Sequence, residues 1–184
     1  MTPLDVWKSR VNELERPEIL ATGTKRWEGS PPEDHSHHAP HGIWIGTDIE
    51  PDDLTVQIVG DIQTLWQTTD KKFDAIFSPA TLEHVEMPWV AAYSFSQLLK
   101  PGGLLYIQTH QTFPLHGYPN DFYRFSAQAL ESLCFHSGMM TLLSGYEFPC
   151  VINPPASVTR WNVAAPSYLN VSIAAEKPRH GAKD

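Results

Sequence analysis

The chain has 184 residues, 41% of them hydrophobic, 11% aromatic and 18% charged. That length suits one domain with a full core and a cleft, and the aromatic content excludes wholesale disorder. Lys and Arg total 13 against 21 Asp and Glu, a net charge of −8, which is the wrong sign for a bulk nucleic-acid or anionic-membrane binder.

The N-terminal segment reads as a helix over residues 1–16. Thr2 can cap it, Pro3 suits its first position and Asp5 sits in its first turn. Leu4, Trp7, Val11 and Leu14 follow at helical spacing until Pro17. This apolar stripe is expected to cover a sheet edge or a cofactor cleft. The segment lacks the basic-then-apolar layout of a signal peptide, and no apolar run reaches the roughly 20 residues of a membrane span.

Short apolar runs follow and read as strands: Glu18–Ala21, Ile43–Thr47, Thr55–Val59, Phe73–Ser78 and Leu104–Thr109. A helix is expected from Pro88 to Leu99, buried through Trp89, Ala92, Phe95 and Leu99. Ser126 caps another from Ala127 to about His136, closed by Gly138. Two more strands are expected near Thr141–Phe148 and Leu169–Ala175, then a frayed polar tail over residues 177–184. Cys134 and Cys150 form neither a zinc signature nor a disulfide framework, and read as a buried reduced pair in a cytoplasmic protein.

Alternating strands and helices with parallel-type strands indicate an α/β fold, in which ligands bind beyond the carboxyl ends of the strands. Asp48, after the second strand, can accept both hydroxyl protons of a ribose. Asp61 and Ile62, after the third, suit an adenine, the acid taking the amine and the apolar side chain covering the ring. Gly23 lets backbone approach a ligand. Taken singly, a strand-end Asp is more often a turn residue; the order and spacing strengthen the case.

From about Ile19 to Gly138 the chain resembles the class I S-adenosylmethionine-dependent methyltransferases, in their small type 11-like branch. Phe73-Asp74-Ala75-Ile76-Phe77-Ser78, Leu82-Glu83-His84-Val85 and Leu98-Leu99-Lys100-Pro101-Gly102-Gly103-Leu104-Leu105-Tyr106-Ile107 carry the resemblance. The segment from Thr109 to Phe125 resembles a loop of that branch. The resemblance implies a single Rossmann-like doubly wound sheet of about seven strands, mostly parallel with one antiparallel, and helices on both faces. The methyltransferase-like domain would span residues 1–176. S-adenosyl-L-methionine would be the donor and S-adenosyl-L-homocysteine the product. Asp48 would meet the ribose, Asp61 and Ile62 the adenine, and Ser78 the methionine part, with Ile49 also among the donor-binding residues.

Two departures stand out. The usual glycine-rich first motif is reduced to Thr22-Gly23-Thr24 with one glycine, and Ala21 stands near the place of a common acid. Thr22 or Thr24 is expected to replace lost contacts, and Lys25 or Arg26 to meet the donor carboxylate. The family's next helix is replaced by a Pro/His-rich stretch, residues 28–42, expected as a loop or single turn bordering the cleft. Its four histidines leave three readings open: a metal site, a substrate contact, or a solvated loop.

Relatives with E-x-x-E-H at Ala80–His84 bind Mg²⁺, but Ala80 replaces the first acid, and Glu83 with His84 alone makes a poor Mg²⁺ site. No metal is therefore expected, and His84 reads as a hydrogen-bonded residue packed under the cleft. In the loop after the fifth strand, His110 or His116 is expected as a base, with Asp121 orienting it and Tyr123 or Arg124 holding substrate. The rival is a rigid turn network.

The expected activity is methyl transfer to an oxygen or nitrogen of a small or medium polar acceptor, with a homodimer as an option. A non-catalytic donor-binding or partner subunit is the alternative. A nicotinamide dehydrogenase fits poorly because the G-x-G-x-x-G turn is absent. Pro31, Pro32, Pro40, Pro114, Pro119, Pro149, Pro154 and Pro155, half of the sixteen prolines, are expected to stiffen the cleft's rim.

Overall fold

The computed structural model describes residues 1–25, 34–52, 54–117, 120–153, 157 and 166–179. Seven strands form one sheet in the order β3-β2-β1-β4-β5-β7-β6. They are β1 (Glu18–Thr22), β2 (Ile43–Asp48), β3 (Ile58–Val59), β4 (Phe73–Pro79), β5 (Leu99–His110), β6 (Met140–Cys150) and β7 (Ser167–Glu176). Strands β3, β2, β1, β4 and β5 pair in parallel, and β7 runs antiparallel to both β5 and β6. The expected sheet with one antiparallel strand is therefore present.

Alternation along the central strands gives the sheet two apolar faces. Leu20, Ile76, Leu105, Ile107 and Ile173 face one core, closed by helices α2 (Pro88–Leu98) and α3 (Ala127–His136) through Phe95, Leu98, Leu130 and Cys134. Ile19, Ala75, Phe77, Leu104 and Tyr106 face the other, beneath Trp7 and Val11 of helix α1 (Pro3–Val11). Trp7 is fully buried, with its ring 5.3 Å from that of Phe77. Helix α1 thus covers one sheet face over β5, β7 and the edge strand β6, with Trp7 reaching Phe77 of β4, and does not line the cleft.

The start of α1 follows the sequence rule. Asp5 donates its backbone N–H to Thr2 Oγ1 (3.1 Å) and its carboxylate accepts the Thr2 N–H (2.8 Å), a reciprocal capping box. The helix stops at Val11 instead of continuing to Pro17, because the Asn12 side chain donates to the carbonyls of Lys8 and His38. Leu14 is left exposed. In α2 the buried positions include Pro88, Ala91, Ala92, Phe95 and Leu98, while Trp89 is 56% exposed. Helix α3 is capped by Ser126 as expected.

Strand β3 is shorter than its apolar run. Gly46 gives its N–H to the Gln57 side chain (2.6 Å), so the ladder with β2 begins only at Thr47 opposite Ile58. Strand β5 begins five residues early, immediately after α2, with a register break between Phe73 and Ala75 of its partner. Lys177 is docked, donating from Nζ to the carbonyls of Ser96 and Leu99, which corrects the expectation of a frayed tail there; residues 180–184 lie outside the described residues. Both cysteines are free, but only Cys134 is buried, and burial pushes its thiol up to about 12.

The described part of the Pro/His-rich stretch holds a single 3₁₀ turn, Ser36–His38. It lies against the α1 face of the sheet, with the His35 and His38 rings 4.9 and 5.3 Å from Phe77. Pro40 sits near the amino end of β2, opposite the carboxyl ends where a cleft would form, so this segment does not border it. Pro31, Pro32, Pro119, Pro154 and Pro155 lie outside the described residues.

Candidate functional site

The strand order reverses between β1 and β4: the chain leaves β1 toward β2 and β3, and continues from β4 toward β5. A crevice opens at such a point beyond the carboxyl ends, and here a cleft of about 960 Å³ occupies it. That volume lies at the upper end for ligand pockets. Each of the five parallel strands delivers residues to it.

Gly23 and Lys25 come from the turn after β1. Gly23 has φ +68°, and a Cβ there would lie 2.5 Å from Thr81 Oγ1, so glycine is required both by backbone and by close approach. Asp48, Ile49 and Glu50 follow β2. The Asp48 carboxylate accepts the Lys25 backbone N–H (2.9 Å), and Lys25 Nζ pairs with Glu50. Gly60, Asp61, Ile62 and Gln63 follow β3. Gln63 holds Asp61 by its side-chain amide (2.9 Å) and its backbone N–H (2.9 Å).

After β4 come Ala80, Thr81 and, from a 3₁₀ turn over Leu82–His84, the His84 side chain. Ala80 has φ +43° without being glycine, a strained conformation of the kind that clusters at functional sites. His116, Gly117, Asn120 and Phe122 close the cleft from the loop after β5. Carboxylates outnumber cations along the described lining: Asp48, Glu50, Asp61 and Glu86 face one lysine.

Of the expected donor-binding residues, Gly23, Asp48, Ile49, Asp61 and Ile62 line the cleft. Thr22 and Ser78 lie beneath it, buried and hydrogen-bonded to each other (2.7 Å). Thr24 donates toward backbone carbonyls of Thr47 and Thr55. Arg26 lies outside the described residues. Sequence reasoning missed Gln63, Thr81, Phe122 and the lining role of His84. For Gln63 a signal existed, since an amide two residues after Asp61 can fold back onto it.

The expected acceptor-side residues divide. His116 lines the cleft; His110 is 8% exposed and sits behind. Burial pulls the His110 imidazole below its usual range, opposed by the Glu83 carboxylate. Asp121 accepts the His116 backbone N–H (2.9 Å) and lies 3.6 Å from its Nδ1. Arg124 forks onto Asp121 and donates to the carbonyls of Phe113, Pro114 and Tyr123. That ion pair holds the Asp121 carboxyl far below the usual range. Tyr123 Oη donates to the Glu86 carbonyl (2.9 Å). Neither Tyr123 nor Arg124 lines the cleft; both brace the loop, as in a rigid turn network.

Beneath His84 and His116 lies Glu83, fully buried, its Oε2 accepting from Thr109 Oγ1 (2.6 Å). Its Oε1 accepts no hydrogen bond, yet faces the Nε2 atoms of His110 (3.2 Å), His116 (3.9 Å) and His84 (4.0 Å). Among the described residues, Glu83, His84 and His116 are the one set of three ligating side chains converging within 4.8 Å; the histidines of residues 35–41 do not form one.

A family model described as a methyltransferase domain matches residues 38–107. The structure is similar to an S-adenosylmethionine-dependent methyltransferase from Archaeoglobus fulgidus, with TM-score 0.64, 15% identity, and 95% and 94% of the two chains covered. The fold is that of a class I methyltransferase. A Burkholderia thailandensis 1,6-didemethyltoxoflavin-N1-methyltransferase, crystallised with its substrate and S-adenosylhomocysteine, gives TM-score 0.63 at 12% identity over 96% of this chain and 78% of that one. A Haloferax volcanii putative methyltransferase complex with the Trm112 activator gives 0.59 at 15% identity, covering 98% of each chain. No match to this sequence is found among curated proteins. Identities this low establish the methyltransferase fold and leave the acceptor to be argued from the site. Among the described residues no helix of this methyltransferase-fold chain is long and apolar enough to cross a membrane.

Proposed function

We propose that the cleft binds S-adenosyl-L-methionine and that the protein transfers its methyl group to an oxygen or nitrogen of a small or medium polar acceptor. The observation that carries this reading is the presence of Asp48 and Asp61, each beside an isoleucine, at neighbouring strand ends of one cleft at the switch point. A carboxylate accepting two hydroxyl protons suits the ribose. A second carboxylate beside the buried Ile62 suits the adenine amine and ring. The donor carries a net positive charge through its sulfonium and ammonium, and the acidic lining complements it. Lys25 lines the cleft and would meet its carboxylate on leaving Glu50.

Methyl transfer is an in-line displacement. The bond from acceptor to carbon forms as the sulfur–carbon bond breaks, the sulfonium becomes a neutral thioether, and the acceptor's proton leaves. Positioning supplies most of the rate. Donor contacts at β2 and β3 leave the end lined by His84, His116 and Phe122 for the acceptor. Of the expected catalytic group, His116 faces that end. Asp121 fixes it and His110 stands behind Glu83, so both act through neighbours.

Isothermal titration with S-adenosylhomocysteine tests the reading, followed by transfer of labelled methyl from the donor into fractionated small-molecule extract. Saturable binding and transfer support it. Binding without transfer to any fraction favours a non-catalytic donor-binding subunit, and no heat at millimolar ligand from folded protein removes the donor site.

A further inference from the structure

We propose that Glu83, His84 and His116 bind a first-row divalent transition metal ion at the acceptor end of the cleft. The argument starts from an orphaned atom. Glu83 Oε1 is fully buried and accepts no hydrogen bond, although an uncompensated buried carboxylate oxygen is costly. Oε2 is already satisfied by Thr109 Oγ1.

The imidazoles around it are oriented from outside. His84 Nδ1 meets the Asn120 carbonyl at 2.5 Å, and His116 Nδ1 meets the Pro114 carbonyl at 3.2 Å. A carbonyl can only accept, so each Nδ1 carries a proton, and in the neutral ring each Nε2 presents a lone pair to Glu83 Oε1. His110 differs: its Nδ1 faces the Asn170 side-chain amide (3.2 Å), which can accept or donate, and its Nε2 lies 3.2 Å from Oε1 on the side away from the cleft. His84 and His116 therefore turn two acceptors toward a carboxylate oxygen, and a cation satisfies all three. Outward N–H groups bound to carbonyls, with inward Nε2 atoms, are the usual setting of metal-ligating histidines.

The dimensions fit. Bonds of about 2.0–2.1 Å in a tetrahedral site place ligand atoms about 3.3 Å apart. The Nε2 atoms of His84 and His116 lie 4.0 and 3.9 Å from Oε1, and the three ligand atoms lie within 4.8 Å of one another, so an inward shift of the two imidazoles closes the set. Gly117 leaves the space His84 occupies, since a Cβ there would lie 2.5 Å from His84 Cε1. Two imidazoles and one carboxylate suit Zn²⁺, Co²⁺ or Fe²⁺ rather than Mg²⁺, which prefers oxygen. His84 and His116 line the cleft, so the fourth position opens toward the acceptor, where the ion would orient it and ease loss of its proton. That use rests on the proposed function; the binding itself does not.

The test uses the untagged full chain, stripped with chelator and titrated with Co²⁺ and then Zn²⁺. One Co²⁺ per chain is expected, with the strong visible absorption of a low-coordinate site, displaced by Zn²⁺. Affinity should fall about 100-fold or more in His116→Ala and Glu83→Gln. His84→Asn serves where Glu83→Gln does not fold, as read by circular dichroism. His37→Ala/His41→Ala should leave the site intact. Absence of a Co²⁺ spectrum overturns the proposal, as does binding that survives His116→Ala and His84→Asn or vanishes in His37→Ala/His41→Ala. S-adenosylhomocysteine titrated into the same samples separates the two claims. Donor binding without metal overturns this site alone, and metal binding without donor binding supports this site while overturning the proposed function.

Discussion

Replacing Gly23 by Ala places a methyl group where the structure has no room and the backbone has no ease. At φ +68° an L-residue costs about 1–2 kcal/mol. The new Cβ would also stand 2.5 Å from Thr81 Oγ1. That hydroxyl cannot swing away freely, because it donates toward the carbonyl of Pro79 (2.8 Å) and receives a bond from Thr22 Oγ1 (3.3 Å). Overpacking of this kind costs about 1–3 kcal/mol, so Gly23→Ala should lose about 2–5 kcal/mol in all. Thr81→Ala removes the clashing oxygen and leaves only the backbone cost, so in that background Gly23→Ala should cost about 1–2 kcal/mol. The assay is urea unfolding of the four proteins of this cycle. A loss below about 0.5 kcal/mol in Gly23→Ala, or the same loss in both backgrounds, refutes the close approach of β1 and β4 at the cleft floor.

Arg124→Met removes the fork on Asp121 and three carbonyl contacts of the loop after β5. It should speed limited proteolysis within residues 112–125 and slow methyl transfer, while S-adenosylhomocysteine affinity changes less than twofold; unchanged proteolysis and transfer would show that the fork braces nothing. Burial lowers the His38 imidazole to about 4 from an ordinary 6.5, and His110 shifts in the same direction. Above pH 6.5 both states are neutral and this contribution is fully present. Below it the unfolded chain takes up protons first, so stability should fall from about pH 6.5 to about pH 4. Urea midpoints at pH 7.5, 5.5 and 4.5 check this, and His38→Phe should flatten part of the slope; a larger drop in the variant than in the wild type contradicts the assignment.

Much of the fold was readable because the centres of parallel strands buried on both faces are continuously apolar, as Ile19–Ala21 and Ala75–Phe77 are. The strand-end acids were readable for a related reason: Asp48 and Asp61 interrupt apolar pattern where a polar ligand belongs. What the sequence hid was set by partners distant in the chain. Trp89 sits three residues before Ala92 yet stays exposed, since the buried stripe runs through Pro88, Ala91, Phe95 and Leu98 and leaves Trp89 to one side. The end of α1 depends on Asn12 reaching His38. Strand β3 is cut short by a side chain, Gln57, standing in for backbone. The strain at Ala80 has no compositional signature. The closeness of His116 to Glu83 and His84 was not readable, because the loop carrying His116 folds back over them only in three dimensions, docked by the Glu83 carbonyl to the backbone N–H groups of Phe122 and Tyr123.

The central claim is that the cleft at the β1/β4 switch point holds an adenosyl donor on Asp48 and Asp61. Its most direct test is side-by-side calorimetric titration of S-adenosylhomocysteine into the wild type and Asp48→Ala. The account predicts one site per chain in the wild type and a loss of about 1–3 kcal/mol in the variant, which is roughly 5- to 150-fold in Kd. Equal affinity in both proteins, or no binding to the wild type, contradicts it.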